Sequence, residues 1–287
     1  MIRIGDIQLH LINDCDIMVD PGGAFGLVPR VLWSPLLPPD EDHLVPMTQT
    51  CLLIQHPSGT NILCDTGYGT KLPEKMQHVL RLKRPRGSIL EALKRLGLSQ
   101  DDIHIVINTH LHNDHCGGNT YIDQEGQVQP TFPNARYFVQ RREYEDAMHP
   151  NERTRATYLA ENYQPLVETG RMQLLEGDTE ITPGVRGVVT PGHTPGHMSV
   201  LIESQGQHAL FVCDLASYAI HFERLGWMTG YDVEPLITLE TKRRWQAWAL
   251  HTQATLIFCH DSQRHAGIFM QGADAKPRVI PIDEPFV

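Results

Sequence analysis

The chain has 287 residues, with 24 Lys and Arg against 34 Asp and Glu and a formal charge of −10 at pH 7. With 41% hydrophobic and 20% charged residues it reads as a soluble globular protein long enough to bury a sizeable core. The acidic balance argues against tracking along a nucleic-acid backbone, which requires a basic face, and no apolar run reaches membrane-spanning length.

In chain order, residues 1–14 alternate well enough for one or two strands, and they lack the apolar core of a signal peptide, so a cytoplasmic location is expected. The stretch from about 22 to 46, rich in Pro, Gly and Leu, shows no period and reads as a long loop. Its Phe25, Leu27 and Trp33 argue against disorder; they are expected to cover a cleft or to pack on a second subunit, as in a homodimer. Residues 49–55 and 60–65 flank His56-Pro57-Ser58-Gly59, a hairpin signal, and the second arm ends in Asp65. The basic run 81–86 reads as a solvated loop. Ser88 then opens a helix with Ile89, Leu90, Leu93 and Leu96 on one side and Gly97 as its stop.

The apolar run 103–107 reads as a buried strand and is followed by Thr109-His110-Leu111-His112-Asn113-Asp114-His115. Alternate residues of an extended chain share a face, so His110 and His112 can reach one metal ion together. As the chain turns, Asp114 and His115 can point to a second ion. Imidazole and carboxylate suit zinc and its neighbours, and sites without thiolate ligands are more often catalytic than structural.

The second half continues with a strand at 136–139 and one or two polar helices across 141–163. A strand at 185–190 leads into Pro191-Gly192-His193-Thr194-Pro195-Gly196-His197, and 198–203 is another strand. Residues 209–214 read as a strand ending in Asp214, 238–252 as a helix, and 254–260 as a strand ending in His260. Four apolar runs thus end in side chains that bind metals. No linker interrupts the chain, so residues 1–287 are expected to form one domain. The six cysteines show no short paired spacing, which excludes a zinc ribbon or disulfide framework. Cys64, Cys213 and Cys259 each precede an acid or histidine of the set and are expected to face packing; Cys116, beside His115, is expected to fill the core, with a role as ligand or oxidation site as the alternative.

This order of motifs resembles the metallo-β-lactamase superfamily of hydrolases over nearly the whole chain. The resemblance implies an α/β fold, the four-layered αβ/βα sandwich. It also implies that His110, His112 and His193 bind one metal, that Asp114, His115 and His260 bind a second, and that Asp214 bridges them. Asp65 and His197 then stand behind the ligands and orient them. The implied cofactors are two divalent transition-metal ions, zinc first, with manganese, iron and cobalt also suited to these donors. Two such ions about 3.5–4 Å apart can share a hydroxide that attacks an acyl or phosphoryl centre, with Asp114 moving a proton to the leaving group.

The segment Leu215-Ala216-Ser217-Tyr218-Ala219-Ile220-His221-Phe222, with Trp227 beyond it, resembles the branch holding N-acyl-homoserine lactone lactonases and methyl parathion hydrolase-like enzymes. In that branch a tyrosine three positions after the bridging aspartate assists the substrate carbonyl. Tyr218, four positions on, is the expected counterpart, with Trp33, His221, Phe222 and Trp227 as pocket walls. The expected reaction is hydrolysis of a lactone or ester, a small-molecule substrate, with neither nucleic acid nor membrane as partner. The alternatives are a phosphotriester hydrolase, a glyoxalase II-like thioester hydrolase and a mono-iron persulfide dioxygenase-like oxidoreductase.

Overall fold

The computed structural model describes residues 1–272, 274 and 276–287. The first half contains β1 (Ile2–Ile4), β2 (Ile7–Val19), α1 (Pro21–Phe25), α2 (Arg30–Trp33), β3 (Val45–Gln55), β4 (Asn61–Cys64), α3 (Glu74–Val79), α4 (Ile89–Arg95), β5 (Ile105–Ile107) and α5 (Asn113–Cys116). A small hairpin of β6 (Thr120–Ile122) and β7 (Val128–Pro130) precedes β8 (Arg136–Gln140), α6 (Arg141–Met148), α7 (Gln164–Glu168) and β9 (Met172–Leu175). The second half contains β10 (Thr179–Thr182), β11 (Val185–Val189), β12 (Met198–Ser204), β13 (Gln207–Phe211), α8 (Ala219–Glu223), α9 (Pro235–Thr252), β14 (Thr255–Ile257), β15 (Ala266–Gln271) and β16 (Pro277–Pro281).

Two seven-stranded sheets result, ordered β1-β2-β3-β4-β5-β8-β9 and β10-β11-β12-β13-β14-β15-β16. The period of two along each strand divides its side chains between two apolar layers. In β3, Leu52 and Ile54 join the layer between the sheets, while Cys51 and Leu53 pack outward with Ile89 and Leu93 of α4. In β13 and β14, Phe211 and Ile257 face inward, while Leu210 and Leu256 meet Phe222 of α8 and Trp245 of α9. Both faces of each sheet are therefore covered, which is why these strands read as continuous apolar runs. Helices, sheet, sheet, helices is the four-layered αβ/βα arrangement.

Parallel pairing of β4 with β5 and of β13 with β14 brings the carboxyl ends of these four strands to one mouth between the sheets. The α4 helix is bounded as its sequence predicts: Ser88 accepts from the Glu91 backbone N–H, and Glu91 reaches back to the Ser88 N–H. No helix among the described residues is long and apolar enough to cross a membrane.

Three expectations change. The 22–46 stretch carries α1 and α2, whose five and four residues are too short to show a helical period. Residues 141–163 hold the single helix α6 followed by turns and a short 3₁₀ turn. The strand expected at 209–214 ends at Phe211, and Asp214 rides on a 3₁₀ turn, Cys213–Leu215, whose Cys213 has a φ of 49°.

Candidate metal centre

The mouth collects every metal-type residue named above. His110 follows β5, and Thr109 Oγ1 lies 3.1 Å from its Nδ1. Its Nε2 is buried with no hydrogen-bond partner among the described residues, 3.6 Å from Asp214 Oδ2. The His193 Nε2 lies 3.1 Å from His112 Nδ1, and the His115 and His260 Nε2 atoms are also 3.1 Å apart. Asp214 sits among them: Oδ2 is 3.2 Å from His115 and 3.4 Å from His193, and Oδ1 is 3.2 Å from His260. Asp114 Oδ2 lies 3.5 Å from His115 Nε2 and 3.6 Å from His260 Nε2.

Ring nitrogens and carboxylate oxygens converging this closely, one with no partner, make a donor set that fits metal cations. His110, His112 and His193 could hold one ion; His115, Asp214 and His260, with Cys259 nearby, form a second such group. Burial keeps the His110 imidazole well below its ordinary pKa, and burial together with His193 pushes His112 down to about 3. Both rings therefore offer lone pairs at neutral pH. Burial alone would raise the Asp214 carboxyl, but the facing imidazoles of His260, His193 and His115 outweigh it and hold it well below its usual range. Burial would likewise raise Asp114, and His115 and His260 hold it down.

Three of the rings are fixed from behind, which decides the nitrogen each presents. His115 Nδ1 donates to Asp65 Oδ2 at 3.0 Å, and Asp65 also accepts from the Thr109 backbone and hydroxyl. Asp65 has a φ of 58°, a left-handed backbone that a non-glycine residue adopts only when its surroundings hold it there. His193 Nδ1 donates to Asp232 Oδ1 at 3.0 Å, and His260 Nδ1 to the Thr48 carbonyl at 3.1 Å. His197 accepts from the Asp214 backbone N–H at 3.2 Å while its Nδ1 faces Thr190, so it orients the aspartate's turn.

Sequence reasoning missed Asp232 and Thr48, which lie far along the chain from the rings they hold. Asp232 sits in the Gly230-Tyr231-Asp232 loop before α9, and an acid in a loop otherwise built of turn residues was its one available signal.

The cysteines need correction. Cys213 Sγ lies 3.0 Å from Thr109 Oγ1 and donates to Asp65 Oδ2 at 3.3 Å, and Cys259 Sγ donates to Asp214 Oδ1 at 3.3 Å. These two thiols share the layer between the sheets and also touch the acids of the mouth, because the sharp turns at the strand ends break the simple alternation of faces. Cys116 fills the outer apolar layer, as expected, its thiol donating to the Leu111 carbonyl at 3.3 Å.

Above the cluster opens a cavity of about 290 Å³ with His112, Asp114, His193, Asp214 and His260 at its floor. Ile17, Val19, Met47, Leu72, Met76 and Leu80 form an apolar wall, and Tyr68, Ser217, Thr229 and Tyr231 also line it. The expected walls lie elsewhere. Trp33 stacks on Phe25 at 5.0 Å between ring centroids, and His221 and Trp227 meet Phe25 edge-on. Phe222 is fully buried against Phe258 and Phe269. Tyr218, 2% exposed, stacks near Phe25 and donates to the Pro46 carbonyl at 3.4 Å, away from the cavity. The extra residue between Asp214 and Tyr218 accompanies this turn of the ring into the α1–α2 cluster. A second cavity, about 370 Å³, is lined by Asp14, Arg84 and Phe132 and contains none of the cluster.

A four-layered sandwich with imidazoles and carboxylates converging at the mouth between its sheets defines a class of metal-binding proteins. The chain belongs to the metallo-beta-lactamase superfamily, whose family model matches residues 44–241. An N-acyl homoserine lactonase of a Bacillus species is 32% identical over 231 residues, 76% of this chain and 82% of that protein. A probable metal-dependent hydrolase from Staphylococcus aureus superposes with a TM-score of 0.89 at 29% identity, over 99% of this chain and 100% of its own. An N-acyl homoserine lactone hydrolase, solved with N-hexanoyl-L-homoserine bound at its catalytic metal center, gives a TM-score of 0.68 at 26% identity, over 91% of this chain and 95% of its own.

Proposed function

We propose that the chain is a metal-dependent hydrolase that opens the lactone ring of N-acyl homoserine lactones, using two transition-metal ions, zinc being the expected pair. The observation that carries this reading is a cluster of seven imidazole and carboxylate side chains, four of whose imidazoles face Asp214, at the floor of a cavity with one apolar wall. The lactonase relatives support the substrate. His110, His112 and His193 hold one ion, Asp114, His115 and His260 the other, and Asp214 lies between. Bound there, the ions would supply Lewis acidity and lower the pKa of water toward the neutral range.

The chain's own groups do the rest. Water adds its hydroxyl to the lactone carbonyl carbon and gives up a proton, the ring C–O bond breaks, and that proton passes to the departing oxygen. Asp114 is placed for that transfer: its side chain is 23% exposed at the cavity floor, and Gln49 Nε2 donates to its Oδ2 at 3.3 Å. Ile17, Val19, Met47, Leu72, Met76 and Leu80 take the acyl chain. No lysine or arginine lines this cavity among the described residues, which favours a neutral lactone over a charged phosphate ester. A panel of an N-acyl homoserine lactone, an aryl ester, a phosphotriester and a glutathione thioester, assayed with one zinc-replete preparation, tests the assignment. The lactone should give the highest kcat/KM; a preference for the thioester or phosphotriester would reject the lactone while keeping the centre.

A further inference from the structure

Glu143, the third residue of α6, is fully buried, yet no cation pairs with it among the described residues. It is held instead by three donors. Oε1 accepts from the Leu111 backbone N–H at 2.9 Å and from the Tyr158 hydroxyl at 3.0 Å, and Oε2 accepts from the Thr194 hydroxyl at 2.5 Å. Leu111 lies between His110 and His112, and Thr194 directly follows His193. The Tyr158 ring lies 5.0 Å from the His112 ring, and their backbones form an isolated bridge. One carboxylate therefore touches a neighbour of every imidazole in the first triad. The loop also comes close to α6: a Cβ on Gly196 would strike the Glu143 backbone, so glycine is required there. The other group has anchors that Glu143 does not touch, Asp65 behind His115 and Thr48 behind His260, with Asp65 also holding Thr109 beside His110.

We infer that Glu143 is a positioning residue dedicated to the first metal site, clamping the His110–His112 turn to the His193 loop and leaving the second site to other anchors. A buried carboxylate with three donors on two segments fixes their separation, because moving either segment leaves a buried charge short of donors. Its closeness to the amino-terminal turn of α6 adds a favourable dipole. The inference rests on the two-ion reading above.

The test is zinc binding followed by chelator competition, alongside thermal unfolding of the zinc-free chain. Wild type should bind two ions, and Glu143→Gln, which matches the shape but replaces one acceptor oxygen with a donor, should weaken one binding step by about 10- to 100-fold. Adding Glu143→Gln to His260→Ala should weaken the remaining ion by the same factor, whereas adding it to His112→Ala should change nothing further. Two intact steps in Glu143→Gln would overturn the inference. Equal weakening of both steps with earlier unfolding of the zinc-free chain would also overturn it, as the mark of a general structural role. Fewer than two ions on wild type would instead overturn the two-ion reading itself, and the inference with it. If Glu143→Gln does not fold, Thr194→Val and Tyr158→Phe each remove one donor; both should weaken the same step, and no change in either would reject the clamp.

Discussion

Asp214 Oδ1 takes a 2.7 Å hydrogen bond from the Ser217 hydroxyl while both of its oxygens face imidazoles. An amide in its place keeps the shape and loses the charge that the two proposed cations would share. Asp214→Asn should therefore reduce bound metal and turnover by more than the roughly 10- to 100-fold expected for an outer partner. His208→Gln, changing a ring near the start of β13 that lies 3.0 Å from its cross-strand partner Glu203 on β12, should leave both near wild type. Elemental analysis with lactone turnover checks the pair, and equal behaviour of the two variants would move the centre away from Asp214. Tyr218→Phe removes only a long hydrogen bond to Pro46, so kcat should stay within about twofold. Tyr68→Phe, in the cavity wall, should cost more; the reverse order would return the carbonyl donor to Tyr218. The spacing His110-x-His112-x-Asp114-His115 was legible because its ligands are close in sequence. The groups that aim them, Asp232, Thr48 and Glu143, come from distant segments and carry no pattern of their own.

At the scale of elements, α1 and α2 matter through two rings. Phe25 and Trp33 stack and pack with Tyr218, Ile17 and Met47, so these turns hold the back of the cavity wall. Phe25→Ala should destabilise the chain by about 3–5 kcal/mol in urea unfolding. A loss below 1 kcal/mol, the ordinary size of a surface change, would show the cluster to be loose. The α9 helix sends Lys242, fully buried, to the carbonyls of His221 at 3.1 Å and Trp227 at 2.5 Å. Burial pushes its pKa down to about 8 from 10.5. Between those values the unfolded chain keeps a proton that the folded chain releases, so stability rises with pH across that window. Wild type should gain on Lys242→Met in urea midpoint from pH 8 to pH 10, and parallel curves would contradict this. Long apolar runs such as 49–55 and 209–211 were legible because two-sided burial writes them as continuous hydrophobic segments. The short β9, β10, β15 and β16 were not: each is a sheet edge or near it, and pairing rather than composition defines it.

For the whole molecule, the two sheets meet at a mouth where Asp214 binds the halves together. His110, His112, Asp114 and His115 come from the first half, and His193 and His260 from the second. Metal should therefore act as a staple between halves. At free zinc 1,000-fold above its dissociation constant, each ion adds about 4 kcal/mol to stability. Chelation should lower Tm and zinc should restore it, which calorimetry checks; an unchanged Tm would mean the halves dock without metal. The central claim is a two-ion lactonase, and titrating zinc into chelated, refolded chain while following ring opening of N-hexanoyl-homoserine lactone tests it most directly. Turnover should climb until two equivalents are bound and then level; a plateau at one equivalent, or zinc binding without ring opening, would contradict the two-ion lactonase.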